Sequence, residues 1–311
     1  MAEPRVAILL STHDGERFLE DQLDSFLAQE GVDWVLFWRD DGSRDGTLAL
    51  MHAFMERLGP ARGIVLPTCG RRGASASYLA LLRAAVAAGY TTLAFADQDD
   101  VWLPGKLARG LAGLARQPSG RPGLYCARQV LVDAALRRIG LSFAVRGQLG
   151  FPQSLTQNVA TGCTLMLNGA AARLVAGSVA PGGTLHDWWC YLVVTAAGGQ
   201  VTFDPEPVVL YRQHAGNLVG APASLLRRGL AALRRGPRVY MRVLRQNVAA
   251  LTAQPALLSP AAHPKLQVIA SALAQGSMKR PGARLRALRL PGFVRQTWAE
   301  TLVFRVWFLF G

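Results

Sequence analysis

Short apolar runs, each ended by polar turn residues, pattern the first two thirds of the chain. Residues 5–11, 34–38, 64–66 and 91–96 are four such runs. Continuous apolar stretches of this length suit strands covered on both faces. Between them apolar residues recur at helical spacing. Phe18, Leu19, Leu23, Phe26 and Leu27 come first, then a stretch through Leu58, then an Ala- and Leu-rich segment to about Gly89. Alternating strands and helices over about 100 residues predict an α/β domain with a doubly wound, mainly parallel sheet. An all-helical domain fits poorly, because the runs are too short.

Pro104 is placed to open a helix that runs to about Arg116. Strands are expected near 125–132 and 162–167, with an irregular stretch at 145–157. Residues 187–194 read as a helix with Asp187 near its N-terminus. Residues 201–203 and 207–211 read as two short strands. From 222 the pattern is helical. Leu225, Leu226, Leu230 and Leu233 form an apolar stripe beside Arg227, Arg228, Arg234 and Arg235, and a second helix begins near Val239. The last segment carries Phe293, Trp298, Leu302, Phe304, Val306, Trp307, Phe308 and Phe310.

Charge divides the chain more sharply than hydropathy does. The net charge is +14 over 311 residues. Residues 1–220 hold 19 basic and 19 acidic residues, whereas 221–311 hold 15 basic residues and the single acid Glu300. The expected organisation is a catalytic domain over 1–220 and a basic helical region over 221–311. A basic amphipathic region ending in Trp and Phe suits an anionic membrane surface; the other reading is a solvated face packed on the core. Nucleic acid is not an expected partner. The aromatics cluster at one end instead of alternating with Arg, and the neutral first part offers no basic groove. Cys69, Cys126, Cys163 and Cys190 are widely spaced without a CxxC pair, which argues against a disulfide framework or zinc site and for a reducing compartment. Neither a signal peptide nor an apolar run of membrane-spanning length is apparent.

Four polar turns carry the chemistry. Asp97-Gln98-Asp99-Asp100 ends the fourth strand, at the sheet edge where open α/β folds bind ligands. Three carboxylates in four residues repel one another, so a hard divalent cation that also holds phosphates would suit them. Asp99 is the expected metal ligand, with Asp97 on ribose or metal. Ser11-Thr12 ends the first strand, where backbone and hydroxyl groups can meet a nucleotide base. Asp40-Asp41-Gly42-Ser43 ends the second, where a carboxylate can accept from a base N–H or a ribose hydroxyl; an ordinary Asp-rich turn is the competing reading. His186-Asp187-Trp188-Trp189 places a carboxylate beside two indoles that could stack on a sugar ring. Asp187 there is either a helix cap or a base for an acceptor hydroxyl.

Together these residues resemble a family 2 glycosyltransferase of the GT-A fold, over residues 5–220. Ser11-Thr12-His13-Asp14-Gly15-Glu16-Arg17-Phe18-Leu19 is similar to the family's opening S-T-Y-N-G-E-x-[YF]-L. Asp40-Asp41-Gly42-Ser43 followed by Asp45-Gly46-Thr47 matches its D-D-G-S-x-D-x-T signature. Asp97 to Lys106 resembles the D-Q-D-D-x-W-x-P-x-K form of its D-x-D motif. His186-Asp187-Trp188-Trp189 and Tyr211-Arg212-Gln213-His214 with Asn217 and Gly220 are similar to the bacterial rhamnosyltransferase subgroup. His13, Asp14, Arg71 and Ser77 depart from the usual pattern, which bears on base or sugar specificity.

The resemblance implies an inverting transferase acting on a nucleoside-diphosphate sugar, with Mg2+ or Mn2+ as cofactor. It implies nucleotide-sugar contacts at Ser11, Thr12, Asp14, Asp40, Gly73, Asp97 and Gln98. It implies metal ligation by Asp99 and His214, although His214 reads equally as a structural histidine. Asp187 would be the catalytic base, with His186 replacing the Glu of the family's E-D pair, and Trp188 and Trp189 would bind the acceptor. The expected donor is dTDP-rhamnose, with a UDP-hexose as the alternative. The expected acceptor is a cell-surface glycan or lipid-linked molecule at the cytoplasmic face of the membrane. A nucleotidyltransferase that makes nucleotide sugars is a further alternative, but Thr12-His13-Asp14-Gly15 does not supply the Gly-rich basic loop such enzymes carry.

Overall fold

The computed structural model describes residues 5–68, 70–145, 147, 149–214, 225–274 and 281–311, with the backbone alone described for 225–235. Cys69, Asn217, Gly220 and the side chains of the Leu225–Arg235 stripe lie outside the described residues. Four parallel strands build the first half of the sheet. They are β1 (Val6–Thr12), β2 (Trp34–Asp40), β3 (Gly63–Val65) and β4 (Thr92–Ala96), in the order β3-β2-β1-β4. Five more extend it: β5 (Val101–Trp102), β6 (Gly123–Val132), β7 (Arg138–Leu141), β8 (Met166–Asn168) and β9 (Gln200–Arg212). The order continues β4-β8-β6-β9-β5, with β7 beside β6. β8 is antiparallel to both β4 and β6, β6 and β9 are parallel, and β5 is antiparallel to β9. The sheet is therefore mixed and flanked by helices, as a GT-A fold requires.

The helices are α1 (Glu16–Leu27), α2 (Thr47–Leu58), α3 (Ala74–Ala87), α4 (Lys106–Ala115), α5 (Gln153–Thr156), α6 (Gly169–Ala176), α7 (His186–Ala196), α8 (Leu225–Thr252), α9 (Ala262–Leu273), α10 (Pro281–Leu288) and α11 (Trp298–Phe310). α8 is broken at Gly236, whose φ of 72° precedes Pro237. Three local differences from the sequence pattern have physical reasons. Residues 201–211 form one strand, because Pro205 and Glu206 bulge between the pairs Ala127–Asp204 and Arg128–Pro207 while β6–β9 pairing resumes on either side. Residues 162–164 make a 3-10 turn before β8 begins at Met166. Val101 and Trp102 form β5 by pairing with Leu210 and Val209 of β9.

Strand alternation explains the layers. Side chains at odd and even positions leave opposite faces of a strand. Ala7, Leu9, Val35, Phe37, Leu93 and Phe95 point into one core, with α3, α6 and α7. Val6, Ile8, Leu10, Trp34, Leu36, Trp38, Ala94 and Ala96 point into the other, with α1, α2 and α4. α4 carries Gly110 and Gly113 because it presses on the sheet. A Cβ at Gly110 would lie 2.0 Å from the Met166 sulfur, and one at Gly113 would lie 2.4 Å from the Tyr125 ring.

The change in charge near residue 221 is not a change in packing. Met241, Leu244, Val248 and Leu251 recur at helical spacing on α8 and join the first core, with Leu266, Ile269, Phe293, Phe304 and Phe308. Phe304 is 1% exposed and meets the rings of Phe293, Phe308 and Tyr240. Truncating this ring should cost about 3–5 kcal/mol. Phe304→Ala should therefore lower the unfolding midpoint of the whole domain in a single transition, followed by circular dichroism and tryptophan fluorescence together. A catalytic-domain transition that does not move would mean that the helices form a separate unit.

Candidate active site

The strand order reverses between β1 and β4, and ligands of open α/β sheets bind beyond the carboxyl ends at such a point. Thr12 and Asp40 arrive there in register, as the last paired residues of β1 and β2. The Thr12 hydroxyl donates to Asp40 Oδ1 at 3.0 Å and accepts from the Trp38 indole at 3.0 Å. Asp40 Oδ2 accepts the backbone N–H groups of Gly42 and Ser43, at 2.8 and 2.9 Å. Burial alone would raise the Asp40 pKa; the bonds from Ser43, Gly42 and Thr12 outweigh it and hold the carboxyl below its usual range. Gly42 takes a φ of 92°, which the turn needs and an L side chain would resist.

Asp41 serves the architecture. It accepts from buried Arg39 at 2.7 Å and from the backbone N–H groups of Arg72 and Gly73 at 2.7 and 2.8 Å. Arg39 also donates to Ser77 and to the Gly70 carbonyl. The loop before α3 is thereby clamped onto the β2 turn. Gly73 sits at φ 81°, and its N–H is directed to Asp41. Asp14, at φ 46°, accepts the Arg44 N–H on its carboxylate and donates its own backbone N–H to the Ser43 hydroxyl. Gln98 bridges the backbone N–H and carbonyl of His13, at 2.8 and 2.9 Å. These side chains hold three loops together at one edge.

The Asp97–Asp100 turn lies at the centre. Tyr78 donates to Asp97 Oδ1 at 3.0 Å and to the Ala96 carbonyl. Burial, then the charge of Asp99, raises the Asp97 pKa to about 7, with a further contribution from Asp187. Asp187 lies near the turn, about 90 residues on in the chain, because its neighbour His186 stacks on the Tyr78 ring at 4.0 Å and Tyr78 in turn holds Asp97. Asp99 Oδ2 lies 2.7 Å from His214 Nε2, and the His214 ring packs on Phe18 at 4.8 Å. Asp100 is fully buried and accepts the Arg212 N–H at 3.1 Å. Lys106 is also buried, with its Nζ over the Trp102 ring at 2.9 Å, and burial lowers its pKa well below the usual lysine range.

Asp187 enters from the first turn of α7. Its Oδ2 accepts the Gly162 N–H at 3.1 Å and its Oδ1 accepts the Trp188 N–H. Burial raises its pKa to about 6, against the backbone hydrogen bonds. His186 stacks on Tyr78 at 4.0 Å, and burial lowers its pKa to about 3, so the ring is neutral. Gly162 faces that ring: a Cβ there would lie 3.1 Å from His186 Nε2.

Thr12, Asp40, Asp97, Asp99, His214 and Asp187 thus meet at one edge of the sheet, and Ser11 lies buried at the end of β1 beside them. Trp188 is half-buried and donates its indole N–H to the Ser154 carbonyl. Trp189 does not offer a stacking face. It is completely buried in the core and donates to the Ser178 hydroxyl, because α7 turns successive residues about 100° apart. Sequence reasoning missed Arg39 and Tyr78, and gave Arg212 a place in a motif but no role. Arg39 had a signal, since a cation ending a wholly apolar strand requires a buried partner. Tyr78 had none, being one of several apolar residues in an Ala-rich helix.

The mixed sheet and its flanking helices define a GT-A fold. Residues 7–121 of the 311 match the family model of glycosyl transferase family 2, and with the relative that follows this marks the protein as a glycosyltransferase. A dTDP-rhamnosyl transferase, RfbG of Shigella flexneri, is 27% identical over 235 residues, spanning 69% of this chain and 75% of that protein. Among solved structures, S. aureus TarS 1-349 in complex with UDP-GlcNAc aligns with a TM-score of 0.60 at 14% identity, covering 91% of this chain and 79% of that one. The mannosyltransferase PcManGT from Pyrobaculum calidifontis, in complex with GDP-Man and Mn2+, aligns at 0.50 with 18% identity, covering 99% and 88%. At these identities the structural matches speak for the fold.

The Arg39–Asp41 pair is nearly inaccessible to solvent, at 1% and 4% side-chain exposure. Removing one partner of a buried pair costs about 3–5 kcal/mol. Arg39→Met should lower stability by that order in chemical denaturation, and Arg39→Met with Asp41→Asn should recover part of the loss. A single variant as stable as the wild type would show that the clamp is dispensable.

Proposed function

We propose that the chain is an inverting, divalent-metal-dependent rhamnosyltransferase. It would move L-rhamnose from dTDP-rhamnose to a hydroxyl of a cell-surface glycan or lipid-linked acceptor. The observation that carries this is the meeting of two carboxylate devices at one edge: Asp97 and Asp99 with His214 on one side, and Asp187 on the other. The donor assignment is supported by the likeness to a dTDP-rhamnosyl transferase. Thr12, with Ser11, Asp40 and the loop around Gly73, lies where the nucleoside would be held, and Asp97 lies towards its ribose and diphosphate.

A divalent cation fits Asp99 and His214. Their ligand atoms lie 2.7 Å apart in a hydrogen bond that a bound ion would replace, and both side chains are about one-fifth exposed, at 20% and 19%, so phosphate oxygens could complete the coordination. Half-buried Asp97 with enclosed Asp100 and Cys163 also brings ligand atoms within 4.8 Å. It fits less well: a thiol is a soft ligand, and Asp100 and Cys163 are fully enclosed. When bound at Asp99 and His214, Mn2+ or Mg2+ would neutralise charge growing on the leaving diphosphate.

Asp187 removes the proton of the attacking acceptor hydroxyl. Its two hydrogen bonds from Gly162 and Trp188 orient the carboxylate, and with a pKa of about 6 it is mostly ionised at neutral pH while remaining a stronger base than an exposed Asp. One in-line displacement inverts the anomeric centre. The half-buried Trp188 adjoins the base and is placed to line the acceptor side.

Three measurements test this reading. Asp187→Ala should abolish transfer yet keep nucleotide binding, and robust turnover would remove the base assignment. In the wild type, kcat/KM should fall about tenfold per pH unit below about 6, because protonated Asp187 cannot accept the proton; a flat profile down to pH 5 is the opposing result. Calorimetry with Mn2+ should show dTDP-rhamnose binding at least about tenfold more tightly than UDP-sugars. Asp99→Ala and His214→Ala should each remove the Mn2+ dependence of that binding. Failure of every nucleoside-diphosphate sugar to bind would sink the proposal.

A further inference from the structure

α11 is amphipathic in an unusual sense, since both of its long faces are apolar. Phe304 and Phe308 point into the core, at 1% and 0% exposure. Trp298, Leu302, Val306 and Phe310 point outward, at 81, 56, 47 and 75%. Four-residue spacing turns each of these about 40° from the last, so they form one continuous outer stripe about 18 Å long. An exposed apolar stripe of this length on an otherwise well-packed helix marks a contact surface.

The helix is firmly held, so the stripe is a fixed feature. The Thr297 hydroxyl caps its N-terminus by accepting the Glu300 N–H. Arg284, itself 2% exposed, donates to the Phe308 and Leu309 carbonyls at the other end, and Arg245 donates to the Gly311 carbonyl. α11 packs against α8 and α10, and these three elements with their flanks expose Arg238, Arg242, Arg286, Arg289 and Arg305. The single acid among residues 221–311, Glu300, is turned towards Arg295 at 3.9 Å. The described parts of the helices that carry and pack against the stripe therefore expose cations and almost no carboxylate.

We infer that α11 and its arginine surround dock on an anionic phospholipid surface. The outer stripe would enter the headgroup–acyl boundary, and the arginines would meet lipid phosphates. Charge complementarity selects this occupant. A second copy of the chain would bring two arginine-rich faces together. Nucleic acid would leave the aliphatic Leu302 and Val306, at the middle of the stripe, without a partner. No described helix is long and apolar enough to cross a membrane, so the helix lies in the plane of the interface. Docking there would hold the catalytic edge near a lipid-linked acceptor. The inference shares that acceptor reading, but it is tested without donor or acceptor, so the two can fail separately.

The experiment is co-sedimentation of the full chain with vesicles of pure phosphatidylcholine and with vesicles containing about one third phosphatidylglycerol. Binding should be confined to the anionic vesicles and should weaken as salt rises. Trp298→Ser with Phe310→Ser should reduce the partition coefficient by about tenfold or more, with unchanged circular dichroism and unchanged nucleotide binding. Arg305→Glu with Arg242→Glu should reduce it in proportion to the anionic fraction, and a milder pair, Arg305→Gln with Arg242→Gln, serves if the first misfolds. Absence of vesicle binding, equal binding to neutral vesicles, or full binding by the Trp298 and Phe310 variant would overturn the inference. So would a concentration-dependent dimer that the same variant abolishes, since the stripe would then cover a second copy.

Discussion

Arg212 is the contact on which the catalytic edge depends. Only 2% exposed, it donates to the Asp99 carbonyl at 2.8 Å, to the Ala134 carbonyl at 2.7 Å and to Asp21 at 2.7 Å, while its own backbone N–H goes to Asp100. Its guanidinium also lies over the Phe18 ring at 4.5 Å. One side chain therefore joins α1, the Asp97–Asp100 turn, the β6–β7 connection and the end of β9. His214 follows two residues later on the same strand end, and its ring rests on the same Phe18. The planar, multiply donating guanidinium suits this role in a way that an ammonium would not.

The edge otherwise concentrates like charge, and the fold deals with its carboxylates in two ways. Asp40 and Asp41 are surrounded by donors, so their negative charge is stabilised and used to shape turns. Asp97 and Asp187 receive fewer donors, and burial dominates, so their pKa values rise. Ionising the raised pair costs folding stability, and the cost is absent below the ordinary Asp range and grows as pH increases through about 6 to 7. Functional sites tolerate such tension when a ligand later relieves it. A cationic group or an exchangeable proton arriving between Asp97, Asp99 and Asp187 would do so.

The last four helices carry two faces of different purpose. Phe304 and Phe308 seal a core that begins on β1 and β2, whereas Trp298, Leu302, Val306 and Phe310 seal nothing within the described residues. Among the described residues, Arg238, Arg242, Arg286, Arg289 and Arg305 are exposed on those helices or just beyond them. A charge boundary in sequence and a packing boundary in space are thus independent properties here, because arginine heads stay in solvent while neighbouring apolar residues on the same helices are buried.

The sequence alone determined the central strands, the helix-strand alternation and the turns that hold Thr12, Asp40, Asp97 and Asp187, since period and turn chemistry are local. It also carried the likeness to family 2 glycosyltransferases, through motifs whose order was legible without coordinates. Only the tertiary structure decided the rest. Which of two adjacent tryptophans faces a site depends on how α7 is rotated against the sheet, and Trp189 proved to be core. That Asp41, Gln98 and Asp14 hold loops together depends on partners about 30 to 85 residues away. Asp99 meets His214, and Asp187 senses Asp97, across similar or greater separations, because β9 pairs in parallel with β6 and α7 packs behind the same edge. Long-range pairing of this kind is set by packing across the whole sheet, which no window of residues contains.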